Sequence, residues 1–212
     1  MGYKNLQETV ADLERHNKLV RIDLPLDPHL EIGALQRRVY QARGPALLFT
    51  NAVGCRFPLL GNLFGTLERT RFIFRDTVDD IRRLVEIKIN PLSLIKNPLD
   101  FVKAPLTAWH LLPSVTNKAP VLECSTTLSG LPHLVSWPND GGAFLTLPQV
   151  YSESPSAPGF GRSNLGMYRI QISGNNYQPD KHAGLHYQIH RGIGAHHAEA
   201  IARGELLRVN IF

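Results

Sequence analysis

Proline recurs at positions 91, 98, 105, 113 and 120, close to once every seven residues. Each proline lacks an amide hydrogen and its ring crowds the preceding turn, so neither a long helix nor a central strand fits across this stretch. The ladder predicts a wrapping connector with short helical pieces, and it divides the 212 residues into two parts of domain size. Residues 1–118, connector included, read as one domain and residues 119–212 as a second.

Before the ladder, helix and strand signals alternate. Asn5 and Glu8 form a capping-box pair with Leu6, Val10 and Leu13 on one face, which predicts a helix over 5–16. Leu19 to Leu24 reads as a strand. Asp27 as cap, Pro28 at the first helical position, Leu35 and Val39 inside and Gly44 past the end predict a second helix. Ala46 to Phe49 and Phe57 to Leu60 read as short buried strands. Thr77 and Asp80 open an amphipathic helix through Val78, Ile81, Leu84 and Val85, closed by Pro91. This part is α/β. After the ladder, strand-like runs dominate: Val121 to Cys124, Phe144 to Val150, Leu165 to Ser173, Leu185 to His190 and Leu206 to Phe212. Gly, Pro, Ser and Asn clusters separate them, the pattern of a β-barrel or sandwich. The last run is an apolar strand that stops without turn or cap, from which the chain is expected to be the N-terminal part of a longer protein.

Several function classes fall away on composition. At 43% hydrophobic and 19% charged the chain is globular. Its net charge of +5 lies wholly before residue 120, because residues 120–212 carry six charges of each sign. That excess is scattered over helical faces such as Arg37 with Arg38 and Arg82 with Arg83, and no basic run is interleaved with aromatics, so no nucleic-acid partner is expected. Cys55 and Cys124 stand far apart without a CxxC, which encodes neither a disulfide framework nor a thiolate zinc site and fits a reducing, cytoplasmic setting. A polar N-terminus and the absence of any run near 18 apolar residues leave at most peripheral membrane association. There is no GxSxG elbow and no Cys–His nucleophile arrangement. The six carboxylates after residue 119 stand singly, so acid–base catalysis needs carboxylates from elsewhere.

Five of the nine histidines fall between His182 and His197. As a strand, Leu185 to His190 puts Leu185, Tyr187 and Ile189 on one side and His186, Gln188 and His190 on the other. That polar row suits a planar ligand with donors and acceptors along its edge, such as an isoalloxazine ring. On a helix, His182, His186 and His190 would repeat every four residues and could hold zinc, although the HExxH glutamate is missing and Gly184, Tyr187 and Ile189 are poor helix formers. A solvated polar face is the plain alternative for each. His196 and His197 read as surface positions on a short helix ending at Gly204. Gly192-Ile193-Gly194 could bring backbone amides to a phosphate with Arg191 as charge partner, without the third glycine of a dinucleotide fingerprint.

Arg169 interrupts an otherwise mostly uncharged strand. If buried, its guanidinium needs a carboxylate or phosphate partner; the alternative is an exposed edge arginine. Strict alternation puts Asn164 and Arg169 on opposite faces, so a common site requires the strand to start after Asn164 or to bulge at Gly166. Trp137-Pro138-Asn139-Asp140-Gly141-Gly142 is a turn, a candidate pocket rim.

Taken together these motifs resemble the UbiD-like family of prenylated-flavin-dependent reversible decarboxylases, which includes the 3-polyprenyl-4-hydroxybenzoate decarboxylases of ubiquinone biosynthesis. The landmarks are Leu24 to Ile32, Gly44 to Phe49, Asn62-Leu63-Phe64-Gly65, Trp137 to Asp140, Asn164 to Arg169 and His186 to Gly192. The resemblance implies an α/β N-terminal domain followed by a split β-barrel like that of flavin reductases, incomplete in this chain, which holds prenylated FMN made by a flavin prenyltransferase. It implies that Asn164 ligates a divalent metal, usually Mn2+, with K+ as a further ion. Met167, Tyr168, Arg169, His186, Tyr187, Gln188, Arg191 and Gly192 would contact the cofactor. Arg169 would be the arginine of a Glu-Arg-Glu catalytic network whose glutamates, with the acidic metal ligand, come from beyond residue 212. The implied activity is that of a carboxy-lyase, a non-oxidative decarboxylase. His-Tyr-Gln-Ile-His-Arg-Gly-Ile-Gly replaces the Arg-Trp-Leu-Ser-His-Arg-Gly-Gly-like run of the polyprenyl enzymes, which leaves the substrate open among aromatic, heteroaromatic and unsaturated carboxylic acids. The different-class alternative is a non-catalytic subunit or truncated product that acts through a partner chain; a homo-oligomer is the other expected assembly.

Overall fold

The computed structural model describes residues 2–92, 102, 104–110, 112, 114, 116–117 and 119–212. Of the proline ladder, Pro98 and Pro113 lie outside the described residues, and a short helix, Ala104–His110, starts one residue before Pro105. The chain forms two compact units: residues 1–23, 36–50 and 59–125 make the first, and residues 24–35, 51–58 and 126–212 the second.

The first unit is built on β1 (Leu19–Ile22), β2 (Ala46–Phe49) and β3 (Leu59–Gly61), in the order β1-β2-β3. β1 and β2 run parallel with Leu19 opposite Ala46, and β2 and β3 run antiparallel with Leu48 opposite Leu60. All four β2 side chains are buried, as a central strand covered on both faces requires. α1 (Leu6–Arg15) and α3 (Leu67–Ile73) complete the core, where Leu13, Leu19, Ala46, Leu48 and Ile73 cluster. Asn5 caps α1 as expected, its side chain accepting the Glu8 amide, but Glu8 reaches back to the Lys4 amide. Leu13 is fully buried while Leu6 is exposed, because the inward face runs through Thr9, Asp12 and Leu13.

One predicted helix start moves and another keeps its place without the expected cap. α2 spans Glu31–Gln41, so Asp27 and Pro28 do not open it. The Asp27 side chain instead accepts the His29 amide in a tight turn, and Leu30 sits at φ 72°, a left-handed conformation that stops the helix from beginning earlier. α4 (Val78–Ile89) does begin after Thr77, yet the Thr77 hydroxyl bonds backward to the Phe74 carbonyl and does not cap. α3 has no counterpart among the predicted elements, although Thr66 caps it by accepting the Arg69 amide.

In the second unit, β4 (Phe144–Leu145), β7 (Arg169–Gln171) and β8 (Gly184–His186) form one antiparallel sheet in the order β4-β7-β8. β5 (Gln149–Glu153), β6 (Ser163–Met167) and β9 (Val209–Ile211) form another in the order β6-β5-β9. Among the described residues these are two separate three-stranded sheets with no closed barrel. Phe144 to Val150 and Leu165 to Ser173, each read as one strand, are each two: the chain passes from one sheet to the other at 146–148 and at Tyr168. Pro148 cannot donate to a ladder, which fits the first break. Val121 to Cys124 is not a strand; Pro120–Leu122 is a 3-10 turn. Ala143, Val150, Ile170, Ile172 and Ile193 form the core, with Ile193 supplied by the last helix, α6 (Gly192–Arg203), which Gly204 ends in a left-handed cap; α5 is the Ala104–His110 helix already described. Residues 24–35 and 51–58 belong to this unit through parallel bridges Leu26 to Ala52 and His29 to Val135.

Candidate functional site

The sheet switch at Tyr168 resolves the parity conflict between Asn164 and Arg169. Asn164 lies on β6, opposite Ser152 of β5, and Arg169 opens β7, opposite His186 of β8. The two residues belong to different sheets, and β6 keeps a regular register through Gly166 opposite Val150, so no bulge is needed. Gly166 instead makes room for a neighbour, because a Cβ there would overlap the Tyr168 ring.

Around Arg169 the side chains form a compact group. Its guanidinium lies 3.9 Å above the Phe144 ring centroid, and Nη2 donates to Asp140 Oδ1 at 3.1 Å. The Arg169 side chain is 45% exposed whereas that of Asp140 is 10% exposed, so the guanidinium is neither the buried nor the lone edge arginine of the sequence reading but a half-open cation on a buried counter-charge. Asp140 Oδ2 also accepts the amides of Ser136 and Trp137, at 3.2 and 3.0 Å. Burial pushes the Asp140 carboxyl up, but Arg169 and these two amides outweigh it and hold the group below its ordinary value. His186 meets Phe144 edge-on at 5.4 Å and its Nε2 lies 3.1 Å from Gln171 Oε1. Gln171, almost fully buried, donates to the carbonyls of Ser173 and Gly141 and accepts from Asn175.

A second group surrounds Asn164. Its Nδ2 donates to the Tyr168 hydroxyl at 3.4 Å, which turns Oδ1 the other way, against Gly192 at the start of α6. A side chain at Gly192 would overlap that amide, so glycine is required for the approach. The Tyr168 and Tyr187 rings meet edge-on at 6.5 Å, and the Tyr187 hydroxyl bonds to His197 Nδ1. Arg191 stands at the N-cap position of α6 without capping it, and its Nε donates to Gln188. Met167, at the end of β6, is exposed.

The polar row is only partly formed. β8 ends at His186, Gln188 follows in irregular chain and His190 lies in a turn, so the alternation extends to one of the three polar residues. His182 accepts the Gln178 amide, and among the described residues no three His, Cys, Asp or Glu side chains are grouped to hold a metal, which removes the zinc reading. His196 and His197 are half-buried rather than surface residues: His196 Nδ1 lies 2.9 Å from the buried Ser152 hydroxyl, and His197 holds Tyr187. The reading from sequence missed Asp140, Phe144 and Gln171 as partners of Arg169 and His186. Asp140 carried a signal, as the one carboxylate in the turn that leads into β4.

Residues 10–88 match the 3-octaprenyl-4-hydroxybenzoate carboxy-lyase N-terminal domain, and residues 113–212 match the Rift-related domain of the same carboxy-lyase. The chain belongs to the UbiD family. A relative from Chlamydia pneumoniae, a subunit of 4-hydroxybenzoate decarboxylase, is 37% identical over 98% of this chain and 35% of its own length. Among solved UbiD-class structures, the vanillic acid decarboxylase of Sedimentibacter hydroxybenzoicus in its closed form superposes with TM-score 0.78 and 21% identity, over the whole of this chain and 43% of that one. An evolved dimeric form of HmfF from Pelotomaculum thermopropionicum, in complex with prenylated FMN, superposes with TM-score 0.73 and 21% identity, over 99% of this chain and 44% of that one. The chain thus spans about a third of the length of the curated relatives it matches. Among the described residues no helix is long and apolar enough to cross a membrane.

Proposed function

We propose that this chain carries the flavin-binding part of a UbiD-type carboxy-lyase that decarboxylates an aromatic or unsaturated carboxylic acid with prenylated FMN. The observation that carries the reading is the Arg169 guanidinium, stacked on Phe144, held by Asp140 and half open to a ligand. The two sheets are read as the first part of a split barrel. Asn164 Oδ1 beside Gly192 and the Arg191 guanidinium at the head of α6 form a donor set that fits a phosphate with a divalent metal: a neutral oxygen for the ion, a close backbone and a cation for the phosphate. Mn2+ is the proposed ion, and Met167, Tyr168, His186, Tyr187 and Gln188 are the proposed remaining contacts.

When bound, prenylated FMN supplies the electron sink that loss of carbon dioxide from an unsaturated carbon needs. Arg169 orients the substrate carboxylate; Phe144 covers one face of the guanidinium and leaves its edge for that anion. Tyr168, bonded to Asn164 and packed against Tyr187, links the metal-side group to Arg169 through one residue of backbone. The proton donor is assigned to the glutamates that family resemblance puts beyond residue 212.

Co-expression with a flavin prenyltransferase, anaerobic purification with Mn2+ and native mass spectrometry test the reading. One prenylated FMN per chain is expected, lost in Asn164→Ala and Gly192→Val; a chain that binds Mn2+ and benzoate nowhere and stays free of flavin overturns it. A second reading, a polypeptide that works only with a partner chain, is favoured by the Chlamydia pneumoniae relative, which is itself one subunit of a decarboxylase. It predicts flavin retention only after a partner is added.

A further inference from the structure

Resting on that proposed function, we propose that Asp140 is a positioning residue that both aims Arg169 and limits how tightly it grips a carboxylate. Asp140 is anchored from behind: its Oδ2 accepts the Ser136 and Trp137 amides, and its Oδ1 faces Arg169 Nη2. The Phe144 ring fixes the plane of the guanidinium from one side. Arg169 is therefore held at two points before any ligand arrives, and a ligand meets an oriented donor edge.

The same contact sets the charge a ligand meets. A carboxylate docking on Arg169 approaches a guanidinium already half-neutralised by the nearly buried Asp140 carboxylate, and the two anions repel across the shared cation. Decarboxylation discharges the carboxylate as neutral carbon dioxide, so a strong grip on the ionised acid would stabilise the ground state more than the transition state. Asp140 keeps the orientation of Arg169 while weakening that grip.

The isosteric Asp140→Asn separates the two effects from folding. The asparagine carbonyl can still accept from Arg169 or from one of the anchoring amides, but the negative charge is gone. In the chain as it stands, benzoate is the probe, followed by NMR shifts of the Arg169 side chain and by isothermal titration. Expected for Asp140→Asn is benzoate binding about 3- to 10-fold tighter, with the fold retained and the thermal midpoint lowered by the lost carboxylate contacts. Asp140→Glu restores the wild-type affinity, and Asp140→Ala leaves the Arg169 Nε–H resonance broadened by lost orientation. Equal or weaker benzoate affinity in Asp140→Asn, with an unchanged fold, overturns the proposal. If benzoate shifts no Arg169 resonance in either the wild type or Asp140→Asn, although the substitution by itself shifts that resonance, the pair is a structural contact only and it is the carboxylate-binding reading of Arg169 that fails. In the cofactor-loaded enzyme the corresponding split is a lower KM with a lower kcat, a pattern that a merely structural loss would not produce.

Discussion

In the first unit two charged residues, Asp12 and Arg69, are buried and hold loops in place; in the second, the buried polar residues Ser152, Ser154 and Gln171 are neutral, and the charged pair of Asp140 and Arg169 reaches the surface through the half-exposed guanidinium. Arg69, 4% exposed, donates to the carbonyls of Leu63, Gly44 and Asn62, and Asp12, 7% exposed, takes hydrogen bonds from Tyr3 and Arg75. The second unit buries Ser152, Ser154 and Gln171, which pair with His196, Glu199 and neighbouring carbonyls. A buried ion is costly unless fully bonded, so it marks a place where the backbone has no other donor; neutral amides and hydroxyls tie strands together at lower cost. The difference leaves Arg169 as a cation held by Asp140 and Phe144 with its side chain still half exposed.

The sharpest way to break this contrast is Arg69→Met, which removes the guanidinium from three carbonyls inside the first unit and leaves Leu63 without it, while Gly44 keeps the Asn62 side chain and Asn62 keeps the Gly65 amide. A loss of about 3 to 5 kcal/mol in urea unfolding is expected, as for a buried charged network. Gln171→Leu is the matching test in the second unit. It leaves the Ser173 and Gly141 carbonyls and the Asn175 amide short of a partner, with an expected loss of about 2 to 3 kcal/mol and altered His186 resonances.

Acid sharpens the comparison. The Tyr3 hydroxyl bond lowers the Asp12 carboxyl most; burial opposes it and Arg75 adds to it, for a folded value below the ordinary 3.8. A depressed carboxyl contributes stability that is present above its unfolded pKa and is lost as the pH falls through the folded one. Asp12→Asn should therefore flatten the acid limb of stability below about pH 4, read by fluorescence-monitored unfolding at a series of pH values. The smallest effect belongs to the exposed Arg82–Asp79 pair of α4, where Arg82→Ala should move stability by no more than about 0.5 kcal/mol.

How far the fold can be read from sequence depends on how local its causes are. β2, Ala46–Phe49, stands where its unbroken apolar run puts it, and Asn5 caps α1, because both signals act within a few residues. Asp27-Pro28 carries an equally good local start signal, yet Leu30 bends left-handed there, the Leu30 amide donates to the Val135 carbonyl and the Val135 amide donates to the Pro28 carbonyl, more than a hundred residues away. The strand breaks at 146–148 and Tyr168 are invisible to periodicity, since both halves of each run are apolar enough to be one strand. What separates them is a choice of partner sheet.

The candidate site divides in the same way. Sequence by itself placed an α/β part before a β-rich part, singled out Arg169, Asn164 and the His186 to Gly192 stretch for their chemistry and matched the UbiD pattern, but a division at the proline ladder gave no sign that residues 24–35 and 51–58 join the second unit. Only the tertiary structure decided that Arg169 pairs with Asp140 across 29 positions, that Asn164 and Arg169 sit on different sheets, and that His196 and His197 face inward to Ser152 and Tyr187. Residue type and local spacing carry information about backbone preference and chemical capacity. Which carboxylate a guanidinium meets, or which sheet a strand joins, is settled by packing between segments distant in the chain, where the energy lies in contacts that no window of sequence contains.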